Sequence, residues 1–179
     1  MKELVLFALL FAVGISYSEE RSQEFTSVVL SNNNKNPNWF KFGEKTYYVD
    51  TVFTANWYKA LQFCRQQGMQ LLSIATKTEN DRIGKFLIDN GISYGHYWTS
   101  ATNLAGDHRW IWLSTGQPMV YTNWDSGEPN SAHNSTENCV EVRHWSSGFT
   151  WNDLGCSQNL YFICETVNDC VQTLNAQKN

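Results

Sequence analysis

Between Glu128 and Cys156 the chain gathers oxygen ligands inside a cysteine clamp. Glu128-Pro129-Asn130 comes first, Glu137 stands just before Cys139, and Trp151-Asn152-Asp153 just before Cys156. Three carboxylates and two side-chain amides therefore share one Gly/Asn/Ser-rich stretch, with no thiolate or imidazole obviously among them. Hard oxygen donors of this kind suit calcium better than zinc or copper. The overlapping segment from Tyr121 to Cys139 has little regular structure, and a long loop in a compact domain usually carries function.

The rest of the chain sets the context. At 179 residues it has room for one domain and a short appendage. Hydrophobic residues make up 42%, enough for a core, and the net charge is −4 with no basic run. Nucleic acid and anionic membrane surfaces are thus poor partners. Met1-Lys2, the apolar run Leu4 to Val13, and Ser16 and Ser18 read as a secretory signal over residues 1–18, since the run is too short to span a bilayer. A secreted chain with five cysteines is expected to hold disulfides and leave one thiol over. Cys170 lies apart from the other four; it either joins a second chain as a disulfide-linked dimer or stays buried or capped.

Residues 19–38 are polar and aperiodic and read as a flexible lead-in without coiled-coil heptads. Order is expected over residues 39–166, followed by a tail at 167–179. Lys41 to Val52 suits a strand. Thr54 is placed to cap a helix over Ala55 to Gln67 with Trp57, Ala60, Leu61 and Cys64 on one face, ended by Gly68. Met69 to Ile74 reads as a strand. Thr78 and Asp81 resemble a capping box for a second helix presenting Ile83, Phe86 and Leu87, stopped at Asn90-Gly91. Short aromatic strands follow at Tyr97 to Thr99, Trp110 to Trp112, Cys139 to Arg143 and Leu160 to Cys164. Two helices and then many short strands indicate an α+β domain.

In this order the motifs resemble the C-type lectin family. They are the helix ending in Cys64, Trp98-Thr99, Trp110-Ile111-Trp112, Tyr121-Thr122-Asn123-Trp124, Glu128-Pro129-Asn130, Trp151-Asn152-Asp153-Leu154 and Phe162-Ile163-Cys164-Glu165. The likeness covers about Phe40 to Glu165, and the overall look resembles short secreted invertebrate lectins. It implies two helices, small antiparallel sheets and a long-loop calcium site. It also implies Cys64–Cys164 and Cys139–Cys156 disulfides and a cis peptide between Glu128 and Pro129. Calcium ligands carried over by resemblance are Glu128, Asn130, Glu137, Asn152 and Asp153.

The same residues make chemical sense as a sugar site. Calcium takes six to eight oxygens, roughly, so five side chains and a backbone carbonyl leave places for two adjacent sugar hydroxyls. Carboxylates accept the hydroxyl protons and amides donate in return. By resemblance, Glu-Pro-Asn goes with mannose-type ligands (mannose, fucose, N-acetylglucosamine), and Gln-Pro-Asp with galactose. Galactose stays in play because the longer segment Arg143 to Thr150 carries Trp145. That ring either stacks on a sugar's apolar face or fills the gap beneath its own loop. A second calcium position, falling on Asn103, Asp107, Ser131 and Asn138, holds a single carboxylate and is expected to be weak or absent. Asn134-Ser135-Thr136 is a glycosylation sequon in the long loop.

Catalysis is not expected. The four histidines are scattered and no zinc-protease, nucleophile-elbow or phosphate-loop motif occurs. A lectin-like domain that binds protein, with calcium serving structure alone, is the other alternative. The expected partners are carbohydrates of glycoproteins or microbial surfaces.

Overall fold

A computed structural model describes residues 38–106, 109–131, 136–145 and 148–166. The expected signal, the tail, Asp107, Asn134 and Cys170 lie outside these residues. The chain folds as the α+β arrangement expected, with the sequence termini of the domain meeting in one sheet. Strand β1 (Trp39–Phe42) turns back antiparallel onto β2 (Lys45–Ala55), and β2 pairs antiparallel with the last strand, β9 (Leu160–Thr166). β3 (Met69–Leu71) also pairs with β9. β4 (His96–Thr102) joins the two halves, lying parallel to β9 and antiparallel to β7 (Cys139–Trp145). The short β5 (Ile111–Trp112) and β6 (Gln117–Pro118) extend from β4, and β7 forms a hairpin with β8 (Gly148–Leu154).

Helix α1 (Trp57–Gln66) starts two residues later than the sequence suggests. Asn56 is its cap, its side chain accepting from Lys59 N at 3.0 Å, because Thr54 is still committed to β2 and Ala55 pairs with Leu160. Helix α2 (Lys77–Asp89) shifts the other way. Thr76, in extended backbone, accepts from Glu79 N at 3.2 Å, whereas Thr78 is already inside the first turn. Gly91, at φ +69°, takes the left-handed conformation that ends α2. The buried faces are those expected: Trp57, Ala60 and Cys64 on α1, and Ile83 and Leu87 on α2. Met69 to Ile74 pairs as a strand only as far as Leu71.

The core forms two clusters. One gathers Tyr47, Leu72, Ile83, Leu87, Val142 and Trp151 beneath α2, and the other Trp57, Cys64, Trp98, Cys139 and Phe162 beside α1. Burying an indole strands its N–H unless a carbonyl meets it. All three fully buried tryptophans are satisfied: Trp57 Nε1 donates to Thr99 O (2.7 Å), Trp98 Nε1 to Ala55 O (3.0 Å) and Trp151 Nε1 to Asn80 Oδ1 (2.8 Å). The first bond ties α1 to β4, the second β4 to the end of β2 and the third β8 to α2, so the indoles fix the position of elements as well as fill volume. Disulfides Cys64–Cys164 and Cys139–Cys156 form as the resemblance implies, the first joining α1 to β9 across 100 residues and the second closing the hairpin region.

Candidate functional site

Strand β8 is the rail on which the site is built. Trp151 anchors it, meeting the rings of Trp112, Tyr121 and Trp124 edge-on at 5.4–6.0 Å. The start of the long loop is sewn along its edge: Trp151 N donates to Asn123 O (2.9 Å), Asp125 N to Trp151 O (2.8 Å) and Asn123 Nδ2 to Phe149 O (2.7 Å). A turn follows, with Glu128 N donating to Asp125 O at 3.0 Å. The Glu128–Pro129 peptide is cis, as expected. The chain then returns to β8, where Asn130 N donates to Asp153 Oδ1 and Ser131 N to Asp153 Oδ2, both at 3.0 Å. Ser131 sits at φ +48°, the one non-glycine residue with positive φ among the described residues. Such a conformation costs on the order of 1 kcal/mol and is held here by the Asp153 contact.

Of the five residues singled out for calcium, the Asn130 backbone and Glu128 meet Asp153, Glu137 lies within electrostatic reach of Glu128, and the Asn152 side chain is turned to Glu141. Glu128 and Asn130 come from the loop, Asn152 and Asp153 from β8, and Glu137 from the segment entering β7. Asp153 is 1% exposed. Burial and then the neighbouring Asp153 carboxylate push Glu128 above the usual carboxylate range, with Glu137 adding to the rise and Arg143 opposing it. Glu128 Oε2 is buried and meets no hydrogen-bond donor among the described residues. An orphaned carboxylate oxygen beside a second buried carboxylate is a strong demand for a cation. Among the described residues no three carboxylate, imidazole or thiolate side chains lie together as a metal-holding group. The residues present fit calcium: hard oxygens, mixed charge and a loop-built frame.

Trp145 does not fill the gap beneath its loop: it is 57% exposed, and the Arg143 guanidinium stacks on it 4.7 Å from the ring centre. Of the second-calcium positions, Asn138 O is occupied by Asn103 N (3.2 Å) and Thr102 Oγ1 (2.6 Å), and Ser131 N by Asp153. Asn103 Oδ1 is buried without a partner among the described residues. Behind the ligand set lies a polar group that the sequence reading passed over. Glu141, 1% exposed on β7, accepts from Asn152 Nδ2 (2.9 Å) and Arg143 Nη1 (3.3 Å) and meets His96 Nδ1 at 2.6 Å. Arg143 Nη2 lies 3.7 Å from Asp125 Oδ2. The one signal for Glu141 in the sequence was a carboxylate set between two valines, Val140 and Val142, in the expected strand.

The fold is found elsewhere. A family model described as the lectin C-type domain matches residues 53–166. The chain belongs to the C-type lectin family. The lectin is 33% identical over 127 residues to C-type lectin mosGCTL-7 of Aedes aegypti, covering 68% of this chain and 83% of that one. It is 30% identical over 129 residues to perlucin of Haliotis laevigata, covering 72% and 81%. Among solved structures it resembles the human scavenger receptor C-type lectin carbohydrate-recognition domain, at 28% identity and TM-score 0.63, covering 73% of this chain and 97% of that one. It also resembles the carbohydrate-recognition domain of cow CD23 solved in the presence of a GlcNAc2Man3 oligosaccharide, at 30% identity and TM-score 0.62, covering 77% and 99%. Members of this family bind carbohydrate and are not enzymes, so the paired carboxylates are not read as an acid–base catalytic pair.

Proposed function

We propose that this lectin is a secreted protein that binds mannose-type sugars (mannose, fucose, N-acetylglucosamine) through a calcium ion held by Glu128, Asn130, Glu137, Asn152 and Asp153. The observation that carries the reading is the buried Glu128 Oε2, unpartnered among the described residues, beside the buried Asp153 carboxylate. Calcium when bound neutralises that pair and offers coordination places to neighbouring hydroxyls. The carboxylates of Glu128 and Glu137 accept the hydroxyl protons, and the amides of Asn130 and Asn152 donate to the hydroxyl oxygens. The Glu-Pro-Asn order supports the mannose side, as does the likeness to a cow CD23 domain solved in the presence of a mannose-containing oligosaccharide.

Galactose is the second reading, and the exposed Trp145 ring favours it. Calcium-dependent retention on immobilised mannose and on immobilised galactose, followed by chelator elution, separates the two. Retention on neither matrix, or retention that survives chelator, contradicts the reading. A single shallow sugar site is weak, about −4 kcal/mol at millimolar affinity, so effective capture of glycoproteins or microbial surfaces requires several heads. Cys170 would supply a second head as a disulfide-linked dimer, seen as a doubled mass on a non-reducing gel; a monomeric band alone argues against it. The mass of the secreted protein shows whether the Asn134 sequon carries a glycan, and the second calcium is expected to be weak or absent.

A further inference from the structure

An asparagine that ligates a cation must present its oxygen and not its amide nitrogen. The two ends of the side chain have nearly the same size, so packing alone does not choose between them. For Asn152 the choice is made by charge. Glu141 stands directly across the β7–β8 hairpin, and Asn152 Nδ2 donates to its Oε1 at 2.9 Å. Reversing the amide would press Asn152 Oδ1 against a buried carboxylate, two acceptors with no proton between them.

Glu141 is itself fixed on every side. Arg143 Nη1 donates to the same Oε1 at 3.3 Å and His96 Nδ1 meets Oε2 at 2.6 Å. Arg143 also reaches Asp125, its Nη2 3.7 Å from Oδ2, and the Asp125 carbonyl accepts from Glu128 N at 3.0 Å. Glu141 thus connects to both banks of the ligand set, directly to Asn152 and through Arg143 and Asp125 to the turn that delivers Glu128. It is not one of the proposed calcium ligands itself.

We infer that Glu141 is the positioning residue of the site: it sets the Asn152 amide so that Oδ1 faces the ion, leaving the second Nδ2 proton for a sugar hydroxyl. Arg143 and Asp125 extend the same hold to Glu128. The inference rests on the calcium-dependent reading of the site. Partners that orient metal ligands in this way typically cost about 10–100-fold in metal affinity when removed.

The test compares wild type, E141A and E141Q by calorimetric titration with calcium chloride and then with methyl mannoside at saturating calcium, at temperatures where each is folded. E141A is expected to bind calcium about 10–100-fold more weakly. E141Q, whose side-chain oxygen still accepts from Asn152, is expected to recover most of that loss. An E141A protein with lowered melting temperature but wild-type calcium affinity overturns the inference, because that is what a purely structural carboxylate gives. Wild type that takes up no calcium defeats the site reading and this inference together, a pattern distinct from normal uptake by both proteins. Should E141A not fold, the calcium-free wild type decides. One Asn152 Nδ2 proton protected from solvent exchange in nitrogen-edited spectra supports the inference, and both protons exchanging as in a free amide overturn it.

Discussion

The Asp153 carboxylate holds the Asn130 backbone amide on Oδ1 at 3.0 Å, so a residue proposed to bind the ion also anchors the loop that brings another ligand to it. Its second oxygen takes Ser131 N at the same distance. Replacing Asp153 therefore separates two contributions. D153N keeps one acceptor but removes a charge; D153A removes both. Both variants are expected to lose calcium by at least about tenfold, since affinity follows ligand charge. D153A is also expected to lose roughly 1–2 kcal/mol of stability without calcium, from two amides left unpartnered, the low end of the range because Asn130 and Ser131 are reachable by water. Calcium titration and urea unfolding in chelator read the two terms. Wild-type calcium affinity in D153N would remove Asp153 from the ligand set.

Glu128 predicts a thermal signature. An ion that binds only the folded chain at one hundred times its dissociation constant adds about 2.7 kcal/mol. For a domain of this size that is a rise in melting temperature of roughly 5–11 °C. Scanning fluorimetry with calcium and then with excess chelator should show the rise and its reversal, and E128Q should show little of it. A melting temperature indifferent to calcium would count against the orphaned oxygen as a ligand.

How much of this was legible beforehand depended on whether a feature was local. Both helices showed themselves through apolar spacing, because Trp57, Ala60 and Cys64 or Ile83 and Leu87 recur at helical intervals. Their starts did not. Thr54 and Thr78 are good caps by composition, but strand pairing at Ala55 claims the first and Thr76 pre-empts the second. The five ligand candidates were readable because acids and amides clustered before cysteines announce their chemistry. The strand status of Trp151 to Asp153 was not, since Asn and Asp are poor strand formers and only pairing with β7 makes them one. Glu141 was out of reach for the same reason. Its partner Asn152 is fixed by a hairpin register, and no spacing rule gives the register from one chain.

Lys45 is expected to carry much of the stability at the other end of the sheet. Its Nζ lies 2.8 Å from Glu79 Oε1 and 2.9 Å from Glu165 Oε2, and the Glu165 side chain is 0% exposed. Glu165 has further donors in Gln70 and Ser73, and Glu79 accepts from Tyr47 OH at 2.6 Å. Removing the cation leaves two carboxylates facing each other in a poorly hydrated place. K45M should cost about 3 kcal/mol, the low end for breaking a buried pair because Lys45 retains 22% exposure. Urea unfolding in chelator measures it. Unchanged stability would mean that water replaces the ammonium without loss.

The His96–Glu141 contact predicts a pH dependence whose sign can be worked out. The hydrogen bond to Glu141 raises the His96 pKa above its ordinary 6.5, and burial and Arg143 work against the rise. The folded chain therefore holds the imidazole proton more tightly than the unfolded chain does. Stability from this contact is fully present below about pH 6.5 and is lost as pH rises through the folded value. The stability difference between wild type and H96Q isolates the effect, since other titrating groups cancel in the comparison. It should be greatest near pH 6 and shrink toward pH 8. The proposed calcium-dependent sugar binding is expected to be lost in acid for a different reason, protons competing with calcium for its carboxylate ligands. H96Q should therefore leave the acid release in place while flattening the neutral-range slope of stability. A wild-type advantage over H96Q that grows with rising pH would show that His96 is not held as a proton donor to Glu141.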